Sequence, residues 1–166
     1  MSETPKHWRW RDGEVDPGPA VVFDLDGVLA NGDHRQHLLN PKPGKRKDWQ
    51  TFFAKAGEDL LIEEVASLTV LLDPAIHRVV LTARPTTIQD LTLEWLARHS
   101  IKWDLLVMRK DGDFSASPDA KRTAVRELQA YGFDILLALD DDRRNVDMFH
   151  AEGIRCLYIH SGYYEV

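Results

Sequence analysis

Two aspartates spaced by two, Asp24 and Asp26, stand directly behind the apolar run Val21-Val22-Phe23 and directly ahead of Gly27. In an extended strand alternate side chains share a face, so the two carboxylates leave the strand end close together and similarly aimed. Carboxylates that close repel each other and need a cation or a shared proton. A hard divalent ion such as magnesium takes oxygen ligands and satisfies the pair. One carboxylate can then attack a phosphorus centre while the other handles protons. Taken alone, the pattern fits a metal site and a solvated turn equally.

Three further segments carry groups of the same chemistry. Leu81-Thr82-Ala83-Arg84 closes a second apolar run. Thr82 there offers a hydroxyl beside exposed backbone N–H groups, a phosphate grip; capping the helix that follows is an equally natural use. Lys121 opens a later helix, where a cation opposes the helix dipole and gains nothing locally. That misfit slightly favours a functional role for it, with Lys110 and Arg122 as nearby competitors. Leu139-Asp140-Asp141-Asp142 ends another apolar run, and three consecutive acids there are costly without a cation. The bland alternative is a solvated acidic turn that caps the next helix.

Alternating elements must hold these groups. Strand patterns cover 20–24, 78–81, 105–108, 135–139 and 155–159, and helical spacing covers 60–72, 85–99, 121–131 and 144–151. Strand and helix alternate throughout, which predicts an α/β fold with a parallel sheet of about five strands covered on both faces. Residues 1–19 read as a polar tail, and 20–166 as one domain. Trp8, Arg9, Trp10 and Arg11 interrupt the tail; packing of the indoles back onto the domain is favoured over stacking on bases. The segment 31–66 breaks the rhythm as a small insert or cap, with a short helix near 48–55. It follows the first strand, so it lies over the carboxyl ends of the strands, where open α/β sheets bind ligands.

The 166 residues suit one compact domain, and 43% hydrophobic residues can build its core. A net charge of -6 excludes a generalised nucleic-acid coat but leaves room for a local basic patch. The single cysteine, Cys156, excludes an internal disulfide and reads as a small buried apolar residue. With no signal core and no run of membrane-spanning length, the expectation is a cytoplasmic protein without membrane contact.

Asp24-Leu25-Asp26-Gly27-Val28-Leu29 resembles the first motif of the haloacid dehalogenase superfamily of aspartate-nucleophile phosphatases. The resemblance implies a Rossmann-like three-layer sandwich, with Asp24 as nucleophile and Asp26 as general acid/base. Thr82 resembles the motif-two hydroxyl and Lys121 the motif-three lysine. Asp140 and Asp141 resemble the paired acids of motif four, with Asp142 the alternative if the register shifts by one. By the same resemblance, magnesium is held by Asp24, the Asp26 backbone carbonyl and the motif-four acids Asp140 and Asp141. Thr82, Lys121 and backbone amides, those of Leu25 and Ala83 among them, hold phosphate oxygens.

Arg35, Arg84, Trp95-Leu96 and Met108-Arg109 also resemble the 3′-phosphatase domain of bacteriophage-type polynucleotide kinase-phosphatase. That likeness runs from about Ala20 to Ile159 and implies phosphate recognition by Arg35 and Arg84, whose forks suit it. A solvated charge for Arg35 and a surface salt bridge for Arg84 are the alternatives. No Gly-x-x-x-x-Gly-Lys-Ser/Thr loop is present, so the kinase half is missing. Asp142 and Val28 also stand where that family often has Arg and Thr. The expected activity is hydrolysis of a phosphate on a nucleic-acid 3′ end or a nucleotide, with a separate kinase or repair enzyme as partner. The basic run Lys42 to Lys47 with Trp49 either guides a sugar-phosphate backbone or is a solvated charge run. The alternatives are a nucleoside monophosphatase or broad small-phosphoester hydrolase, and a non-catalytic phosphate- or nucleic-acid-binding module.

Overall fold

The computed structural model describes residues 4–165. In chain order its strands are β1 (Trp8–Trp10), β2 (Pro19–Phe23), β3 (Ala30–Asn31), β4 (Leu60–Leu61), β5 (His77–Pro85), β6 (Leu105–Arg109), β7 (Asp134–Asp140) and β8 (Cys156–Tyr158). Its α-helices are α1 (Trp49–Ala54), α2 (Glu63–Leu71), α3 (Gln89–Arg98), α4 (Ser117–Tyr131) and α5 (Arg143–Ala151). Six strands form the main sheet in the order β1-β6-β5-β2-β7-β8. All neighbours are parallel except β1, which runs antiparallel to β6.

The period of two in β2 divides the core. Ala20 and Val22 point to one face, where they meet Val125 and Leu128 of α4 and Met148 and Phe149 of α5. Val21 and Phe23 point to the other, with Trp95 and Leu96 of α3 and Val65 of α2. A strand buried on both faces must be apolar almost throughout, which is why Ala20 to Phe23 contains no polar residue. The result is the expected three-layer α/β sandwich.

The sheet has a sixth strand because the tryptophans near the N-terminus do more than pack. Trp8 and Trp10 lie two apart, so both rings face the α4 layer. Trp8 sits edge-on to Tyr131 with centroids 5.3 Å apart. Their backbone pairs with Leu105 to Val107 and gives the sheet an antiparallel edge.

Two expected boundaries move in ways that matter for the site. α4 begins at Ser117, with Pro118 in its first turn, so Lys121 lies one turn inside the helix rather than at its start. β5 continues through Thr82 and Arg84 to Pro85, and its register with β6 shifts between Thr82 and Pro85. Pro85 therefore ends the strand instead of opening a helix. The insert is closed at its base by β3 and β4, where Ala30 pairs with Leu61 and Asn31 with Leu60. Within it, Asp48 caps α1 by accepting the Thr51 N–H at 3.0 Å.

Candidate active site

Parallel pairing puts the first and fourth acidic segments at one sheet edge. Phe23 lies beside Leu139, and the Asp24 N–H donates to the Leu139 carbonyl at 3.0 Å. Asp24 follows β2 and Asp140 ends β7, so both leave the sheet together. Asp24, Asp140 and Asp141 each present an oxygen, and the three oxygens lie within 4.8 Å of one another. All three residues are buried. Lys121 Nζ reaches in from α4, 3.0 Å from Asp24 Oδ1 and 2.6 Å from Asp140 Oδ2.

One ammonium does not balance three buried carboxylates. Burial raises the Asp24 carboxyl well above its ordinary range; Lys121 opposes the shift, and Asp140 and Asp141 add to it. Burial also lifts Asp141 to about 6. Both Asp141 oxygens are buried without a hydrogen-bond partner, although Ser161 lies beside them. Lys121 is stabilised as a cation: burial disfavours its charge, but Asp140 and Asp24 more than compensate. Orphaned carboxylate oxygens beside two further acids are the donor set of a hard divalent cation, and these residues fit one. Gly27 makes the close approach possible. It has φ +79°, and a Cβ there would lie 2.1 Å from Asp141 Oδ2.

Asp140 is oriented by groups the sequence did not single out. Asn145 Nδ2 donates to Asp140 Oδ1 at 3.1 Å, and the Asp142 N–H donates to the same oxygen at 3.0 Å. The Asp142 carboxylate turns away. It caps α5 by accepting the Arg144 N–H at 2.9 Å and pairs with the Arg144 guanidinium at 2.7 Å. Asp140 and Asp141, not Asp142, therefore face Asp24.

The Asp26 carboxylate stands apart from that cluster, among arginines. Arg35 Nη2 lies 2.6 Å from Asp26 Oδ1, and Arg84 Nη2 lies 2.7 Å from the same atom. Arg84 Nε lies 3.1 Å from both Asp26 oxygens. Burial alone would raise Asp26, but Arg84 and then Arg35 hold its carboxyl down at about 2. Both arginines are fully buried and are shared with Asp59, whose Oδ2 lies 2.6 Å from Arg35 and 3.0 Å from Arg84. Their guanidinium groups are thus engaged with protein carboxylates. This is neither the solvated loop charge nor the surface salt bridge, and it differs from two forks left open to a phosphate.

Asp59 is the residue that sequence reasoning missed. Its side chain also meets His34 Nε2 at 2.9 Å, and its carbonyl accepts the Trp95 indole N–H at 2.8 Å. A single acid ahead of Leu60-Leu61 gives no periodic or motif signal. Its local context, Gly57-Glu58-Asp59, reads as an ordinary polar loop.

The remaining predicted groups line the approach. Thr82 is buried, and its Oγ1 accepts the Arg84 N–H at 3.1 Å. The Leu25 N–H donates to Asp24 Oδ1 at 2.8 Å. Thr82, Ala83 and Lys121 share the wall of one small cavity of about 20 Å³ with Arg109. On the opposite rim the Tyr163 hydroxyl accepts the Gly32 N–H at 2.8 Å, which ties the C-terminal segment to the start of the insert. Burial, and then the Asp140 charge, push the Cys156 thiol up to about 12, against any role as a thiolate.

Among the described residues no helix is long and apolar enough to cross a membrane. No curated protein sequence matches the chain. In solved structures, a chain of the Pnkp1/Rnl/Hen1 complex is 25% identical over 96% of this chain and 52% of its own length, with a TM-score of 0.69. A chain of the Pnkp1/Rnl/Hen1 RNA repair complex is 24% identical over 95% of this chain and 47% of its own length, also with a TM-score of 0.69. The present chain therefore spans about half the length of those two. The class C acid phosphatase from Bacillus anthracis shares the fold at 18% identity, covering 90% of this chain and 69% of its own, with a TM-score of 0.59. Residues 18–164 match the family model described as the polynucleotide kinase PNKP phosphatase domain, nearly the whole chain. The chain belongs to that family, and it is a phosphatase of the haloacid dehalogenase fold.

Proposed function

We propose that this phosphatase uses magnesium and an aspartyl-phosphate intermediate on Asp24 to remove a phosphate from a nucleic-acid 3′ end or a nucleotide. The observation that carries the reading is the contrast between two aspartates only two residues apart. Asp24 faces Lys121, Asp140 and Asp141. Asp26 is held by Arg35 and Arg84. Environments that differ this much give two carboxylates two different tasks.

Asp24, Asp140 and Asp141 are the side chains that would hold the cation, with the Asp26 backbone carbonyl beside them. When bound, that ion neutralises the acids and draws charge from the phosphate oxygens. Asp24 attacks phosphorus through a carboxylate oxygen, and the bond from phosphorus to the leaving oxygen breaks. Lys121 offsets the charge that spreads over the phosphoryl oxygens. Thr82 and the N–H groups of Leu25 and Ala83 orient those oxygens. Water then attacks phosphorus, Asp26 takes its proton, and the Asp24 carboxylate is restored.

The low pKa of Asp26 suits that second step, because a base must start ionised. The first step needs a proton on the leaving oxygen. A phosphomonoester with a second pKa of about 6 can bring one as its monoanion. Asp26 relays this proton once the anionic phosphate competes for Arg35 and Arg84. In this scheme both arginines act mainly through Asp26.

Family membership supports the nucleic-acid substrate, as does the Lys42 to Lys47 run beside the half-exposed Trp49. A cytoplasmic setting, and a separately encoded kinase or repair enzyme as partner, complete the proposal. The test is a panel of 3′- and 5′-phosphorylated oligonucleotides, mononucleotides and sugar phosphates. The highest kcat/KM should fall on the 3′-phosphorylated oligonucleotide, with steep loss at high salt and no turnover in EDTA. Asp24→Asn should keep its fold and lose at least about a thousandfold in kcat. Equal or better hydrolysis of mononucleotides would favour a nucleoside monophosphatase instead. Wild-type-like turnover by Asp24→Asn would refute the nucleophile.

A further inference from the structure

We infer that Tyr164, Arg144, Tyr158 and Arg143 form a track for the unpaired nucleotides leading up to the terminal phosphate. The inference rests on the substrate reading above and assigns the surface that would recognise it. Its starting point is an aromatic ring with no evident packing task. Tyr164 is 52% exposed and stands three residues after Ser161, which packs beside Gly27 and Asp141. It is nonetheless held in place by its neighbour: the Tyr163 hydroxyl accepts the Gly32 N–H at 2.8 Å, and the Tyr163 N–H donates to Ser161 Oγ at 3.2 Å.

Arg144 lies against this ring, with its guanidinium carbon 5.8 Å from the ring centroid. It is not free to swing away. Asp142, itself buried, holds Arg144 Nη2 at 2.7 Å and Nε at 3.1 Å. A pinned planar cation beside an exposed ring is pre-ordered, so little side-chain entropy is lost when a base stacks there. A second arginine–tyrosine contact follows, with a half-buried ring and, among the described residues, no carboxylate holding the arginine. Tyr158 lies opposite Asp140 in the sheet register, and the Arg143 guanidinium stands 4.5 Å from its ring centroid. Arg143 and Arg144 are consecutive exposed residues at the start of α5.

Two arginine–tyrosine pairs thus flank the acidic segment 140–142, one through the sheet partner of Asp140 and both through the first residues of α5. Alternating aromatic faces and cations are the physical features of a single-strand path, since every base has a π-face and every linkage a charge. The cations also answer an electrostatic difficulty: an acidic centre repels an anionic strand, and positive groups beside it offset this. Asp142 offsets much of the Arg144 charge, which leaves Arg143, with no ion pair among the described residues, as the main cation. Glu165 is 3.6 Å from His160. The basic run from Lys42 to Lys47 belongs to the insert, so the two surfaces can be varied separately.

The test compares two 3′-phosphorylated tetranucleotides that differ only in whether the last nucleotide bears adenine or is abasic. The wild type should prefer the base-bearing substrate by about tenfold in kcat/KM, mainly through KM. Tyr164→Ala should bring the ratio close to one, and Tyr164→Phe should keep it, since stacking needs the ring and not the hydroxyl. Because each ratio is taken within one enzyme, any general loss of activity cancels. Arg143→Ala should shrink the advantage of the base-bearing tetranucleotide over a nucleoside 3′-monophosphate. A wild-type ratio near one, or a ratio that survives in Tyr164→Ala, would overturn the track and leave the 3′-phosphatase reading standing. Failure to hydrolyse either tetranucleotide while a sugar phosphate is consumed would overturn the substrate reading, and the track with it.

Discussion

Without a divalent ion, raising the pH should weaken the fold, and Asp141 sets the size of the loss. Its carboxylate is 1% exposed, has no hydrogen-bond partner, and is pushed by burial from 3.8 to about 6. A carboxyl with a higher pKa folded than unfolded binds more protons in the folded state between those two values. Stability is therefore full below about 4 and is lost as the pH climbs through about 6. A shift of about two units corresponds to up to about 3 kcal/mol. Asp24 shifts in the same direction. Asp26 shifts the other way, but its window runs from 3.8 down to about 2 and lies below the range tested. For a domain of this size 1 kcal/mol moves Tm by about 2–4 °C, so about 6–12 °C is at stake. The assay is Tm in EDTA at about pH 4.5 and about pH 7, for wild type and Asp141→Asn. The wild type should lose more than the variant, and millimolar magnesium should recover more at the higher pH. Equal losses in the two proteins, or a magnesium effect independent of pH, would refute the reasoning.

Gly27→Ala places a methyl group 2.1 Å from Asp141 Oδ2 on a backbone at φ +79°. It should weaken magnesium binding at least about tenfold in calorimetric titration, beyond a left-handed backbone cost of about 1–2 kcal/mol seen in denaturation. Asp59→Asn removes one of the two carboxylates that share Arg35 and Arg84. Breaking such a buried network from one side should cost about 3–5 kcal/mol by urea unfolding, and a loss under about 1 kcal/mol would contradict the shared-charge account.

The sheet, its parallel sense and its two helical layers were legible because each strand is a short apolar run bounded by turn signals. The likeness of their motifs to the superfamily's is what groups Asp24 with Asp140 and Asp141, and parallel pairing of β2 with β7 brings the three together at the carboxyl end of the sheet. What the sequence blurred was local. Lys121 looked like the first residue of its helix because periodicity begins there, whereas Ser117-Pro118 starts the first turn before any apolar residue is needed. Trp8 to Trp10 is too short for period-two alternation to register, and its pairing depends on β6, almost a hundred residues on. Arg84, assigned to phosphate by resemblance with a surface salt bridge as the alternative, is carried inward by β5 and lies fully buried.

The charged network around Asp26 shows why such contacts escape a linear reading. Arg35 and Asp59 belong to the insert, Arg84 to β5, and Asp26 to the turn after β2; they meet because β3 and β4 close the insert at its base. Two guanidinium groups and two carboxylates form a nearly neutral set, which is the condition for burying Arg35, Arg84 and Asp59 fully and Asp26 in large part without a large penalty. Separately, each residue reads as a polar group on a loop or strand end. The resemblance to the phosphatase domain assigns the arginines to phosphate, and the structure adds contacts with two carboxylates to each buried guanidinium. A guanidinium already bound to two carboxylates reaches a phosphate only by giving up part of that bond. In the proposed mechanism its influence therefore runs first through the charge and position of Asp26, which would make the insert that supplies Arg35 and Asp59 part of the chemistry as well as a cover for it.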